Sequence, residues 1–148
     1  MALALPVRPR EGDAAWFSGV GDARTVTLST PLRLSSASSR LTFDLWYDTE
    51  PTDVVTLEAS SDGGSTWQEL KHWSGWSGKK WGKASADLAG LTGDVTLRWR
   101  YTSDTLYQGR GVYVDGIRVT TQGRTVFDDS RPRDADAVQP AGWTAATT

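Results

Sequence analysis

The sequence predicts an all-β fold, a two-sheet antiparallel β-sandwich of the jelly-roll type. No window keeps apolar residues at the three- and four-residue spacing of a helix face. Ser, Thr, Gly and Asp recur about every eight to twelve residues, as turns do in antiparallel β proteins. Between these turn signals apolar and polar residues alternate, and about eight such segments can be counted, the number of strands in a jelly roll.

Alternation is clearest in three segments of the chain. In residues 40–48, one face carries Leu41, Phe43, Leu45 and Tyr47. Residues 54–60 and 94–102 repeat the pattern with Val, Leu, Ala, Trp and Tyr. Because successive side chains of a strand point to opposite faces, each segment has one face suited to a core. The predicted strands are residues 25–28, 40–48, 54–60, 67–73, 83–87, 94–102, 111–120 and 124–127.

The opposite faces of the central strands are polar and partly charged. They carry Thr42, Asp44 and Trp46, then Thr56 and Glu58, then Thr96, Arg98 and Arg100. We expect Glu58 to pair across strands with Arg98 or Arg100, an interaction worth about 0.2–1 kcal/mol. Each sheet is therefore predicted to have one core face and one solvated face.

Length and composition predict one domain. The chain has 148 residues, 38% of them hydrophobic, with eight Trp to fill a core. We place the sandwich in residues 16–127, an N-terminal extension in residues 1–15, and a C-terminal tail or the start of a linker in residues 128–148. The net charge is −2, with Lys and Arg scattered among Asp and Glu, so we expect no nucleic-acid partner.

The first residues bear on the location of the protein. The apolar run in residues 1–10 is too short for a signal peptide, and no stretch reaches the roughly 18 apolar residues of a membrane span. This opening is typical of a domain cut from a longer protein, whose signal is removed if it is exported; the alternative is a complete small protein. Cysteine is absent, which excludes disulfides and thiol catalysis but is compatible with secretion.

Catalysis has little support. The chain has a single histidine, His72, which any Ser/His/Asp triad would have to use. A His-Glu-x-x-His zinc site is excluded, because it needs two histidines. Neither a Gly-x-Ser-x-Gly elbow nor a Gly-rich phosphate loop occurs. A glycosidase-type carboxylate pair is the remaining route to an enzyme, but nothing selects a pair among 18 acidic residues. We therefore expect a domain that is not an enzyme.

Residues 60–67 form the sharpest local pattern, Ser-Ser-Asp-Gly-Gly-Ser-Thr-Trp, which matches the Asp box. Asp62 can bond the backbone of its own turn, Gly64 can adopt positive φ, and Trp67 begins the returning strand. Sialidase propellers carry several copies of this motif, whereas this chain carries one. The pattern therefore predicts a structural hairpin.

Acidic residues cluster at predicted strand ends. They are Asp48, Glu50, Asp53, Asp104 and Asp115. Carboxylate oxygens on flexible loops suit Ca²⁺, but turns also favour Asp because it bonds its own backbone. Both explanations stay open. Asp115 stands out, because it interrupts an apolar strand and needs a partner if it is buried.

Residues 71–83 hold three indoles on a loop rich in Gly, Ser and Lys, namely Trp73, Trp76 and Trp81. Exposed indoles can stack on sugar rings or accept a cation over their faces. Alternatively, they fold back and cover an open edge of the sandwich. An exposed, coplanar row would favour sugar binding, whereas packed indoles would favour a structural role.

Five motifs in order resemble the β-sandwich module of immune inhibitor A metallopeptidases. They are Trp-Phe-Ser-Gly at 16–19, Leu-Thr-Phe-Asp-Leu-Trp-Tyr-Asp-Thr-Glu at 41–50, the Asp box, Val-Thr-Leu-Arg-Trp-Arg-Tyr-Thr-Ser-Asp at 95–104, and Gly-Val-Tyr-Val-Asp-Gly-Ile at 111–117. The resemblance covers about residues 16–127. It implies a MAM-like, carbohydrate-binding-like accessory jelly roll that accompanies a secreted zinc peptidase.

The resemblance also implies structural calcium, with ligands at Glu50, Asp53, Asp104 and Asp115. A glycine, Gly116, stands where the family commonly has a second acid after Asp115. The leading expectation is a non-catalytic domain of a secreted protein, which stabilises or positions a neighbouring peptidase. The alternative is a module that binds carbohydrate or a cell-surface polymer through its Trp loop.

Overall fold

The computed structural model describes residues 14–19, 24–35, 38–104 and 110–147. In these ranges it contains eleven strands and one short helix. The strands are β1 (Ala14–Phe17), β2 (Thr25–Leu34), β3 (Ser39–Asp48), β4 (Val54–Ser60), β5 (Gln68–Trp73), β6 (Gly82–Asp87), β7 (Gly93–Thr102), β8 (Gly111–Thr121), β9 (Arg124–Asp128), β10 (Gln139–Ala141) and β11 (Thr144–Thr147). The helix, α1 (Pro132–Ala137), lies between β9 and β10.

Two antiparallel sheets make up the fold. The first has the order β11-β1-β8-β3-β6, with β9 also paired to β8. The second has the order β10-β2-β7-β4-β5. The prediction of an all-β, two-sheet antiparallel sandwich is confirmed, and each of the eight predicted strands has a counterpart.

The core lies between the sheets, where the predicted apolar faces meet. On β7, the side chains of Val95, Leu97, Trp99 and Tyr101 are all at most 2% exposed. The ring of Phe43 on β3 meets Trp99 edge to face, with centroids 5.2 Å apart. Burial of each such side chain contributes about 1.5–3 kcal/mol.

The outer face of the first sheet differs from the sequence prediction. Trp46 is 1% exposed, and its ring contacts Tyr113 with centroids 5.7 Å apart. Tyr113 in turn stacks on Phe17 at 4.5 Å, and Trp81 packs against the group. The prediction of a fully solvated face is wrong here, because aromatic residues from β1, β3 and β8 lie side by side and bury one another.

The chain beyond residue 127 is part of the sandwich. Strand β10 pairs with β2 and β11 pairs with β1, so this segment adds one strand to each sheet. Val138 and Trp143 join the core. The predicted boundary at residue 127 therefore moves toward the C-terminus. Strands of three or four residues are too short for an alternation signal, and their pairing with distant strands forms them.

Candidate functional site

Three of the predicted metal ligands meet at one end of the sandwich. Glu50, Asp53 and Asp104 each offer a carboxylate oxygen, and these oxygens lie within 4.8 Å of one another. Pairing of the strands explains the meeting. Val54, which begins β4, lies opposite Thr102, which ends β7, so the residues just outside the two strands are neighbours.

Asp53 is the buried member of this acid cluster, with 0% exposure. Its Oδ1 accepts a hydrogen bond from the Asp104 amide at 3.0 Å. Its Oδ2 is buried and has no hydrogen-bond partner among the described residues. An unsatisfied buried carboxylate oxygen is costly, by about 1–3 kcal/mol or more, so a positively charged or hydrogen-bond-donating group at this oxygen would be favourable.

A second unpaired oxygen lies close to the cluster. The Tyr101 hydroxyl is buried without a partner in the described part of the chain. Burial, together with the charge of Asp53, raises the pKa of Tyr101 to about 12. The pKa of Glu50 is also raised, by partial desolvation and by the charges of Asp104 and Asp53. These carboxylates repel one another, and a cation placed among them would relieve the repulsion.

Hydrogen bonds from two threonines hold the β3–β4 loop, which carries Glu50 and Asp53. The Thr49 hydroxyl donates to the Asp53 carbonyl at 2.9 Å, and the Thr52 hydroxyl donates to Asp104 Oδ2 at 2.8 Å. The Thr49 hydroxyl also accepts the Gly75 amide at 2.9 Å. The acid cluster is therefore tied directly to the Trp loop.

The fourth predicted ligand, Asp115, is not in the cluster. It lies in the interior of β8, opposite Asp44 on β3, and its Oδ1 accepts the Gly116 amide at 2.9 Å. Lys83 lies 3.1 Å from Asp44 and supplies positive charge there. Four residues of strand, about 13 Å, separate Asp115 from the start of β8, which explains why it does not reach the acids of the loops.

The three predicted ligand-binding indoles have different environments. Trp73 meets Phe43 edge to face at 5.7 Å and packs on the core. Trp81 packs against the outer aromatic group. Trp76 is 56% exposed, and it is the one large hydrophobic side chain found exposed among the described residues. The indoles do not form an exposed row.

A cleft of about 290 Å³ opens beside Trp76. Trp73 forms part of its wall, together with Tyr47 and Lys83. Lys83, on β6, belongs to the Trp loop, residues 71–83, whereas sequence reasoning missed Tyr47 on β3 as a site residue. No local pattern marks Tyr47, since only the pairing of β3 with β6 brings it to this loop.

The Asp-box segment forms the turn between β4 and β5. Asp62 Oδ1 accepts the Thr66 amide at 2.9 Å and the Ser60 hydroxyl at 2.8 Å, and the Thr66 hydroxyl donates to the other oxygen. These bonds lower the pKa of Asp62 to about 2. Gly63 and Gly64 take φ of 75° and 94°, a region that favours glycine.

The expected pairing of Glu58 is present. Glu58 Oε1 accepts bonds from Arg98 at 2.8 Å and from Arg100 at 3.0 Å. Burial alone would raise the pKa of Glu58, but the two arginines hold it below its usual value. The Arg98 guanidinium also lies 3.6 Å from the ring centroid of Trp67, so the Asp-box indole covers this ion pair.

Fold and site together define the class, a two-sheet β-sandwich with a loop-borne acid cluster and a partly exposed Trp loop. The model of one family, the immune inhibitor A-like MAM domain, matches residues 4–147. The chain belongs to this family. A search of curated proteins finds no significant match.

A solved structure with a similar fold is that of TmCBM61 in complex with β-1,4-galactotriose. It has a TM-score of 0.53 and 15% identity, over 76% of this chain and 74% of the other. At this identity the likeness shows the fold alone. Within the described residues, no helix is long and apolar enough to cross a membrane.

Proposed function

We propose that this chain is a non-catalytic accessory domain of a secreted protein, stabilised by a Ca²⁺ ion at Glu50, Asp53 and Asp104. The observation that carries the proposal is the buried Oδ2 of Asp53, which has no hydrogen-bond partner in the part of the chain that the structure describes and lies beside two further carboxylates. Oxygen donors on loops are the ligands that Ca²⁺ prefers. Bound there, the ion would supply positive charge that links the β3–β4 loop to the end of β7.

A calcium titration of thermal stability tests this site. A ligand that binds only the folded state raises the melting temperature, and about 100-fold excess over Kd contributes about 2.7 kcal/mol. We expect a rise with Ca²⁺, reversal by EDTA, and a smaller effect of Mg²⁺, which dehydrates reluctantly. An unchanged melting temperature at millimolar Ca²⁺ would remove the ion from the proposal.

The accessory role concerns a neighbouring domain, which we propose to be a peptidase. The family match supports this role. Expression of the parent protein with and without this domain tests the accessory role. We expect the shortened protein to have a lower melting temperature or to be cleaved faster by proteases than the same domains in the full-length protein. Equal stability of both forms would contradict the role.

A second candidate function is carbohydrate binding at the cleft beside Trp76. It is favoured by the exposed indole and by the cleft that Tyr47 and Trp73 complete. Indole faces stack on apolar faces of ligands, and such anchors dominate binding. The similarity to TmCBM61 makes β-1,4-galacto-oligosaccharides the first probes.

Calorimetry with β-1,4-galactotriose, after a wider glycan screen, tests this candidate. We expect Trp76→Ala to weaken binding about tenfold or more. Trp67→Ala is the matched control, since it removes an indole that packs against Arg98 and does not line the cleft. Equal losses in both variants would contradict a site at Trp76.

A further inference from the structure

A larger cleft, of about 520 Å³, lies elsewhere in the molecule. It is bounded by β2, β9 and α1. The register of β2 with β7 sets Arg33 opposite Asp94 and Thr25 opposite Thr102. The cleft is thus roughly 25 Å along the sheet from the acid cluster, and neither the calcium proposal nor the Trp loop involves it.

Positive charge dominates the lining. Three arginines line the cleft, Arg33, Arg131 and Arg133, against the single carboxylate of Asp134. Asp134 is already engaged, since its Oδ2 accepts the Asp128 amide at 3.0 Å. This excess of positive charge occurs in a chain whose net charge is −2. The cleft is therefore complementary to an anionic ligand.

Two of the arginines are available to such a ligand. Arg131 and Arg133 are exposed, and no hydrogen bond or ion pair of their side chains is found within the described ranges. Arg33 pairs with Asp94 at 2.9 Å, but the two side chains are 76% and 89% exposed, so this pair contributes little and can exchange. A guanidinium offers a planar fork that matches a carboxylate in two parallel hydrogen bonds.

The floor of the cleft indicates what kind of anion fits. Leu32 and Val126 are half-buried aliphatic side chains that line it. The aromatic residue of the lining, Phe127, is 3% exposed and has no ring face free for a sugar. Aliphatic surface beside guanidinium groups suits a peptide, whose apolar side chains pack on the floor while its carboxylates meet the arginines.

We propose that this cleft binds an acidic peptide segment of a partner polypeptide. Carboxylates of the peptide pair with Arg131 and Arg133, and its aliphatic side chains cover Leu32 and Val126. Pro31 lies on β2 beyond the residues that pair with β10, and because it has no amide hydrogen it disfavours the addition of another strand there. Recognition therefore depends on side chains.

Binding of poly-L-glutamate to the 148-residue chain tests the proposal, measured by biolayer interferometry at low and physiological salt. The double variant Arg131→Gln/Arg133→Gln is expected to bind about tenfold more weakly than the wild type. The control Arg124→Gln/Lys80→Gln removes the same charge at exposed positions outside the cleft. It is expected to retain wild-type affinity, and both proteins should bind more weakly as salt rises.

Three results would overturn the proposal. The first is an absence of poly-L-glutamate binding at low salt. The second is an equal loss in both double variants, which would mean that net charge and not the cleft sets the affinity. The third is tighter binding of polygalacturonate that depends on Arg131 and Arg133, which would make the occupant an acidic polysaccharide.

Discussion

Strand β4 has an aspartate turn at each end, and the two turns differ in how their carboxylates are satisfied. At its exit, Asp62 is exposed, and both of its oxygens accept hydrogen bonds from its own turn. At its entry, Asp53 is fully buried, and one oxygen has no partner among the described residues. The first turn satisfies both of its carboxylate oxygens, whereas the second leaves one carboxylate oxygen without a hydrogen-bond partner within the described residues.

This difference explains why the turn at Asp62 is easier to predict from the sequence than the cluster at Asp53. All the partners of Asp62 lie within four residues, so a local pattern specifies them. The neighbours of Asp53 in the acid cluster include Asp104, 51 residues away. A turn built from local bonds is recognisable as a motif, whereas only the fold shows which of the acids at distant strand ends meet.

The largest expected effect is at Asp53. With Ca²⁺ at about 100-fold excess over Kd, we expect the wild-type melting temperature to rise by about 5–10 °C, and Asp53→Asn to abolish this rise. The amide keeps the shape and can still accept the Asp104 amide, so the variant should fold. Differential scanning calorimetry measures both values.

Two controls accompany this variant. Asp94→Asn removes an exposed carboxylate far from the cluster, and Asp115→Asn removes the buried acid that the structure places in β8. Both are expected to retain the calcium-dependent rise. If Asp115→Asn abolished the calcium-dependent rise in melting temperature, Asp115 would have to be counted as a metal ligand.

The pH dependence of stability should have opposite signs at the two turns. The folded-state pKa of Asp62 is lowered to about 2, so its contribution is present above about pH 4 and is lost as the pH falls toward 2. The pKa of Glu50 is raised, so in calcium-free protein its ionised form destabilises the fold, and protonation relieves this.

Melting temperatures from pH 7 to 2.5, in EDTA and in Ca²⁺, measure these effects. We expect Asp62→Asn to reduce the fall in melting temperature that the wild type shows below pH 4. We expect the difference in melting temperature between calcium and EDTA to shrink as Glu50 becomes protonated. This decrease should occur at a higher pH than the loss of stability due to Asp62. A calcium effect that persists unchanged to pH 3 would exclude Glu50 as a ligand.

A smaller effect is expected at Gly64. Its φ is 94°, and an added Cβ would lie 3.6 Å from the Trp67 ring, an ordinary contact. Gly64→Ala should therefore destabilise through backbone conformation alone, by about 1 kcal/mol. Urea unfolding in EDTA and in Ca²⁺ should show the same loss, since this turn does not contact the acid cluster. A loss seen only in Ca²⁺ would contradict the independence of the two turns.

Long-range packing decided most of what sequence reasoning missed. The indoles of residues 71–83 are alike in sequence, yet Trp73 and Trp81 are packed while Trp76 is exposed. The arginine cleft joins residues of β2 and α1 that are about a hundred positions apart. No periodicity or spacing contains this information.

The sequence alone was sufficient for the fold class, for the existence of eight of the strands and for the turn at Asp62. Each of these depends on alternation or hydrogen bonding within about ten residues, which a linear pattern records. Only the tertiary structure decided that Glu50, Asp53 and Asp104 meet without Asp115, and that the last strands belong to the sheets. Those outcomes depend on strand register, which sets which distant side chains become neighbours.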